Sequence, residues 1–74
     1  MEALFTADII MKGENKNYLI FFENGQYVFH SSEDAQQTFS LRRENDEWNA
    51  TGIEDEIATK QAIHALEQYL LSQH

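Results

Sequence analysis

The chain contains no cysteine, no proline and only three glycines among its 74 residues. Without cysteine, neither disulfides nor thiolate metal ligands are possible, which fits a reducing compartment. No hydrophobic run is long enough for a membrane span, because Thr6 and Asp8 interrupt the apolar N-terminal stretch. That stretch also begins with an acid, whereas a signal peptide begins with basic residues. These features predict a soluble, cytoplasmic protein.

Basic residues are also scarce: five Lys and Arg stand against 13 Asp and Glu, giving a formal net charge of −8. Affinity for phosphate backbones and anionic lipids comes from Lys and Arg, so neither nucleic acid nor a membrane is expected as a partner. An acidic surface keeps a small protein in solution. A functional interpretation of the same charge is an inhibitor or decoy that binds a basic protein surface.

Hydrophobic residues make up 42% of the chain and include five Phe, three Tyr and one Trp. This content is sufficient for one compact core, so residues 1–74 are expected to form a single domain. A domain this small gains little net stability from burial alone. Since disulfides and thiolate metal sites are excluded, tight packing or self-association has to provide the remaining stability.

The stretch FFENGQYVFH, residues 21–30, predicts a hairpin between strands at 17–23 and 26–30. Asn24-Gly25 is a strong signal for a two-residue type I′ turn, because both residues tolerate positive φ. Such a turn pairs Phe22 with Tyr27 and Phe21 with Val28, and continues with Ile20 opposite Phe29 and Leu19 opposite His30. Both faces of this strand pair are therefore apolar.

The remaining strands are predicted at 3–11, 38–43 and 47–51, with polar loops at 12–17 and 31–37. In the first strand, alternation places Phe5, Ala7, Ile9 and Met11 on one side and Ile10, with Leu4, on the other. A turn at Asn45-Asp46 would bring Arg43 opposite Trp48, close enough for a cation–π contact.

From about residue 54 the hydrophobic period changes and predicts a helix over 54–72. Either Thr51 with Glu54 or Asp55 can cap its start. Its apolar stripe consists of Ala58, Ala62, Ala65, Leu66, Tyr69 and Leu70, with Ile63 at the edge. The alanines allow close approach to a sheet, whereas Ile57 and Leu71 lie off the stripe.

These elements predict an α+β fold, an antiparallel meander of about five strands with the C-terminal helix packed on one face. The predicted core beneath the helix comprises Tyr18, Ile20, Phe22, Tyr27, Phe29, Phe39, Leu41 and Trp48. The opposite face carries an uncovered apolar group, the candidate interaction face, consisting of Ile10, Leu19, Phe21, Val28 and His30. Two alternatives would hide this group: strong coiling of the sheet, or the N-terminus and the 31–37 loop folding over it.

No pattern in the sequence predicts catalysis, a metal site or a cofactor. The serines have no arranged base, and no glycine-rich loop is present. His30 ends a strand on the candidate interaction face, but a metal site would need further ligands that converge with it. We therefore expect a non-catalytic protein-interaction domain that forms a homodimer or docks another protein. The alternatives are the acidic decoy and a carrier for a small apolar ligand, for which the alanine stripe leaves little space.

Overall fold

A computed structural model describes residues 2–34 and 37–73. These residues form five strands and one helix: β1 (Phe5–Met11), β2 (Glu14–Glu23), β3 (Gln26–Ser31), β4 (Thr38–Glu44), β5 (Glu47–Thr51) and α1 (Glu56–Ser72). The strands form one antiparallel sheet in the order β1-β2-β3-β4-β5, which is a meander. The α+β fold predicted from the sequence is confirmed.

Three two-residue turns with positive φ connect the hairpins. Asn24 (φ 52°) and Gly25 (φ 76°) join β2 to β3, and Asn45 (φ 50°) and Asp46 (φ 64°) join β4 to β5, as predicted. The prediction of a polar loop over 12–17 is wrong. Lys12 (φ 52°) and Gly13 (φ 81°) make a third turn of the same kind, and β2 begins directly after it at Glu14.

The predicted register of the central hairpin is confirmed, with Phe22 opposite Tyr27 and Leu19 opposite His30. The loop predicted over 31–37 begins one residue later, because Ser31 completes β3. The Ser31 hydroxyl accepts hydrogen bonds from the backbone N–H groups of Glu33 (3.2 Å) and Asp34 (3.1 Å), which organises the start of this loop. Residues 35 and 36 of the predicted loop lie outside the described residues.

The core lies on the face of the sheet that carries the helix. Its buried members are Ile9, Tyr18, Ile20, Phe29, Phe39, Leu41, Ala58, Ala62 and Leu66. The rings of Phe29 and Phe39 stack with centroids 4.7 Å apart, and Tyr18 meets both edge-on. Three of the rings predicted to be buried, those of Phe22, Tyr27 and Trp48, are not fully enclosed.

The prediction that Phe22 belongs to the core is wrong, since this residue is 50% exposed. It lies beside the Asn24-Gly25 turn, where its ring leans on Tyr27 at a centroid distance of 4.8 Å. Trp48 is half-buried on the edge strand β5 and packs against the core. The predicted cation–π contact is present, with the Arg43 guanidinium carbon 5.1 Å from the centre of the Trp48 ring.

The helix begins at Glu56, two residues later than predicted, because Asp55 is its N-cap. The Asp55 Oδ1 atom accepts a hydrogen bond from the Ala58 N–H at 3.1 Å. The helix packs mainly on β1, and at its far end Tyr69 stacks on Phe5 with ring centroids 4.4 Å apart. Ile57 and Leu71, which lie off the stripe, are exposed. Within the described residues, no helix combines the length and apolarity required to cross a bilayer.

Candidate interaction surface

The surface that sequence reasoning singled out is the face of the sheet opposite the helix, here called the outer face. Strand alternation assigns it every second residue of each strand. Two adjacent rows of cross-strand neighbours form its centre. The first row is Thr6, Leu19, His30 and Thr38, and the second is Phe21, Val28, Ser40 and Thr51. Neither row contains an Asp, Glu, Lys or Arg.

Three of the predicted residues, Leu19, Phe21 and Val28, lie together at the centre of the outer face. Phe21 is directly opposite Val28, and Leu19 precedes Phe21 by two positions on β2. Leu19 and Phe21 are half-buried, whereas Val28 is only 7% exposed. Neighbouring side chains therefore shield Val28 already, and among these three residues the remaining exposed apolar surface belongs to Leu19 and Phe21.

His30 adjoins this cluster and is held by two neighbours. Its imidazole meets the Phe21 ring edge-on, with centroids 5.3 Å apart and planes at 75°. Its Nδ1 atom lies 3.3 Å from the Thr38 hydroxyl oxygen, at hydrogen-bonding distance. Among residues 2–34 and 37–73, no three His, Cys, Asp or Glu side chains group closely enough to hold a metal ion. These contacts explain the position of His30 as part of the packed outer face.

Ile10 lies apart from the other predicted residues. Leu19 faces Thr6, whereas Ile10 faces Asn15, and the Asp8–Asn17 pair lies between them. In that pair, Asn17 Nδ2 donates a hydrogen bond to Asp8 Oδ1 at 3.0 Å. Ile10 is therefore a separate apolar position, 49% exposed, beside the edge of the sheet.

Charged side chains of the outer face surround its two central rows. Asp8 lies on β1, and Arg42 with Glu44 lies near the far end of β4, where they form an ion pair at 3.6 Å. By the same alternation, Glu23 and Glu47 lie beside hairpin turns. The outer face thus has an uncharged centre and a charged margin, in a chain whose net charge is −8.

A second feature, which sequence reasoning missed, is an open cleft of about 900 Å³ on the helix-bearing side of the molecule. It is lined by the tip of the β1–β2 hairpin, the start of β4 and the connection from β5 to α1, and not by the alanine stripe. Tyr18 and Gln37 both line it, and the Tyr18 hydroxyl and Gln37 Oε1 are buried without a hydrogen-bond partner among the described residues. Lys12 of the Lys12-Gly13 turn lines the cleft, and the sequence pattern did not reveal this turn.

Comparisons of the chain with protein-family models, with curated proteins and with solved structures found no match.

Proposed function

We propose that this chain is a small, non-catalytic protein-interaction domain that self-associates or docks a protein partner through the outer face. The observation that carries the proposal is the uncharged centre of this face, where Leu19 and Phe21 retain exposed apolar surface. Depletion of charge around aromatic and aliphatic side chains is typical of the centre of a protein interface, whereas a charged margin is typical of its rim.

Electrostatics favours this surface for contact between two acidic chains. Two copies that each carry a charge of −8 repel one another. Contact through the uncharged centre of the outer face leaves the carboxylates at the margin, so none of them has to be desolvated. The alternative of an acidic decoy would need carboxylates gathered on one surface. Here they lie mostly at turns, at the margin of the outer face and at the start of the helix. The same charge supports a protein partner rather than nucleic acid or an anionic membrane.

The expected affinity is modest. Complete burial of a Leu or Phe side chain contributes about 1.5–3 kcal/mol, and part of this is already realised because Leu19 and Phe21 are half-buried. Val28 is nearly enclosed and can add little. Because the contact buries little additional apolar surface, binding is weak and the associated fraction depends strongly on protein concentration, as is typical of transient interaction domains.

Phe21→Lys tests the proposal, because it places a charge at the centre of the outer face. We expect the variant to weaken association through the outer face about tenfold or more, which corresponds to about 1.4 kcal/mol. Sedimentation equilibrium of wild type and variant over a concentration series up to the millimolar range measures this change, and circular dichroism checks that the variant is folded.

Leu71→Lys is the matched control, since it makes a similar change at a side chain that is 67% exposed on the helix. It should associate like the wild type. Equal weakening by both variants would assign the effect to added charge in general and contradict the proposal. A wild type that stays monomeric throughout the series would remove self-association and leave only docking of a different protein.

A further inference from the structure

The two edge strands of the sheet, β1 and β5, differ in whether other residues bond their outward-pointing backbone groups. In an antiparallel pair, alternate residues direct their N–H and C=O groups away from the partner strand. On β1, Ile10 is such a residue, and the Gln61 side chain bonds both of its groups, accepting from the N–H at 3.1 Å and donating to the C=O at 3.3 Å. The Lys12 N–H beside it donates to Asp55 Oδ2 at 3.0 Å. The helix therefore caps this part of the β1 edge.

The β5 edge has no such cap. The Asn45-Asp46 turn makes Glu44 and Glu47 a hydrogen-bonded pair, so the backbone groups of Trp48 and Ala50 point away from β4. No hydrogen bond to these groups comes from any residue in 2–34 or 37–73. Ala50 is exposed and Trp48 is half-buried. An open edge of this kind is a template for another strand.

We propose that this edge pairs with β5 of a second copy, antiparallel about a two-fold axis at Asn49. This register places Trp48 opposite Ala50 of the partner subunit, and the symmetry repeats the same pair on the other side of the axis. Each of these pairs exchanges main-chain hydrogen bonds in both directions, because the free groups on both residues point outward.

The side chains that face one another in this register identify the partner strand at the β5 edge as β5 of a second copy. Trp48 and Ala50 lie one residue either side of Asn49, on the face of the sheet that carries the core. The two-fold register therefore sets a large ring against a small exposed side chain twice, and extends the apolar face from one copy to the next. Glu47 faces Thr51 of the partner subunit, so no two carboxylates are opposed, and the residue on the axis is uncharged.

The cap on part of the β1 edge disfavours extension of the joined sheet beyond two copies. After the β5 edges pair, the outermost strands of the joined sheet are the two β1 strands, which Gln61 and Asp55 protect at Ile10 and Lys12. The pairing is made by backbone groups at the β5 edge and does not need contact through Leu19 and Phe21, so it does not depend on the proposed function. It would place the uncharged centres of two outer faces side by side on one sheet.

The natural absence of cysteine makes a direct test possible, because an introduced thiol is the only one in the chain. The Asn49 residues of the two copies form a pair without mutual hydrogen bonds, with Cα atoms about 4.5 Å apart, which is within disulfide range. Under mild oxidation, we expect Asn49→Cys to form a covalent dimer about tenfold faster than Gln68→Cys, because pairing raises the effective thiol concentration. Gln68 is exposed on the helix and serves as the control.

The register has its own test. Glu47→Cys and Thr51→Cys should form disulfides readily when the two variants are mixed, and slowly when each is oxidised alone. Equal rates for the mixture and the separate variants, or for Asn49→Cys and Gln68→Cys, would overturn the proposal. Introducing Phe21→Lys into the Asn49→Cys chain distinguishes the two surfaces: retained crosslinking supports edge pairing, whereas its loss would show that the outer face causes the contact.

Hydrogen exchange of the wild type tests the edge pairing without any substitution. The backbone N–H groups of Trp48 and Ala50 should exchange with solvent more slowly as protein concentration rises, since pairing buries them in hydrogen bonds. Hydrogen exchange followed by NMR at low and high concentration reports each residue separately. Exchange at these two positions that does not change with concentration would contradict the inference.

Discussion

At the scale of single residues, Tyr18 shows an imbalance within the core. It is fully buried between aromatic rings, yet its hydroxyl has no hydrogen-bond partner among the described residues. Leaving a buried polar group unsatisfied costs about 1–3 kcal/mol. Burial also raises the pKa of Tyr18 above its ordinary value of 10.0, because the phenolate would lose its hydration.

Tyr18→Phe is therefore expected to raise the free energy of unfolding by about 1 kcal/mol at neutral pH, because it removes the unsatisfied hydroxyl and keeps the ring. Urea unfolding followed by fluorescence measures the change. The folded pKa lies above the unfolded value, so the wild type should also lose stability relative to the variant as pH rises above 10.0. A destabilised variant would instead show that the hydroxyl bonds a water or ligand in the adjoining cleft.

Among the elements, the turns determine how much of the sheet can be predicted from the sequence. Asn24-Gly25 and Asn45-Asp46 were predictable, because these residue types tolerate positive φ. Lys12-Gly13 was not, since Lys has no such preference and the polar start of β2 shows no apolar alternation. Missing this turn left the β1–β2 register undefined. Ile10 was consequently grouped with Leu19, which lies beyond the Asp8–Asn17 pair.

The prediction that Phe22 is buried is wrong because of where the helix lies. Alternation correctly placed Phe22 on the helix-bearing face, but periodicity does not determine how far the helix extends over that face. The helix packs mainly on β1, so Phe22 remains exposed at the end of its strand. Leu19, Phe21, Val28 and His30 lie together in the predicted register, because the central turn alone determines it.

Asp55 joins two elements, since Oδ1 caps the helix through the Ala58 N–H and Oδ2 accepts from the Lys12 N–H in the β1–β2 turn. These backbone hydrogen bonds hold the pKa of Asp55 below its ordinary value of 3.8, and the bond from Ala58 has the largest effect. The stability they provide is present above pH 3.8 and is lost as pH falls through the lower folded value.

Asp55→Asn should destabilise the protein at neutral pH, because an amide has only one acceptor oxygen for the two N–H donors. The difference in urea midpoint between wild type and variant should then narrow as pH falls below 3.8 and through the lower pKa of the folded wild type, where its carboxyl becomes protonated. Comparing the two proteins cancels the titration of the other carboxylates to first order. A difference that does not change with pH would show that the charge of Asp55 contributes nothing to these contacts.

At the scale of the whole molecule, the arrangement of the sheet edges controls assembly. A meander necessarily exposes its first and last strands, and unpaired edges promote association with other chains. Here the helix returns to the first strand, where the Gln61 side chain occupies the hydrogen-bonding positions of Ile10 that another strand would use. The cap disfavours extension of the sheet at this part of β1, and pairing through the β5 edges gives a closed pair.

Gln61→Ala tests this control of assembly, because it uncovers the N–H and C=O groups of Ile10 and largely retains helix propensity. With both edges available, copies can add in sequence, so the variant should form species larger than a dimer as concentration rises. Sedimentation velocity resolves these species, and Gln68→Ala is the matched control at an exposed position of the same helix. If Gln61→Ala sediments like the wild type and the control at every concentration, the Gln61 cap has no role in limiting assembly, and the remaining protection of the β1 edge comes from Asp55 and the body of the helix.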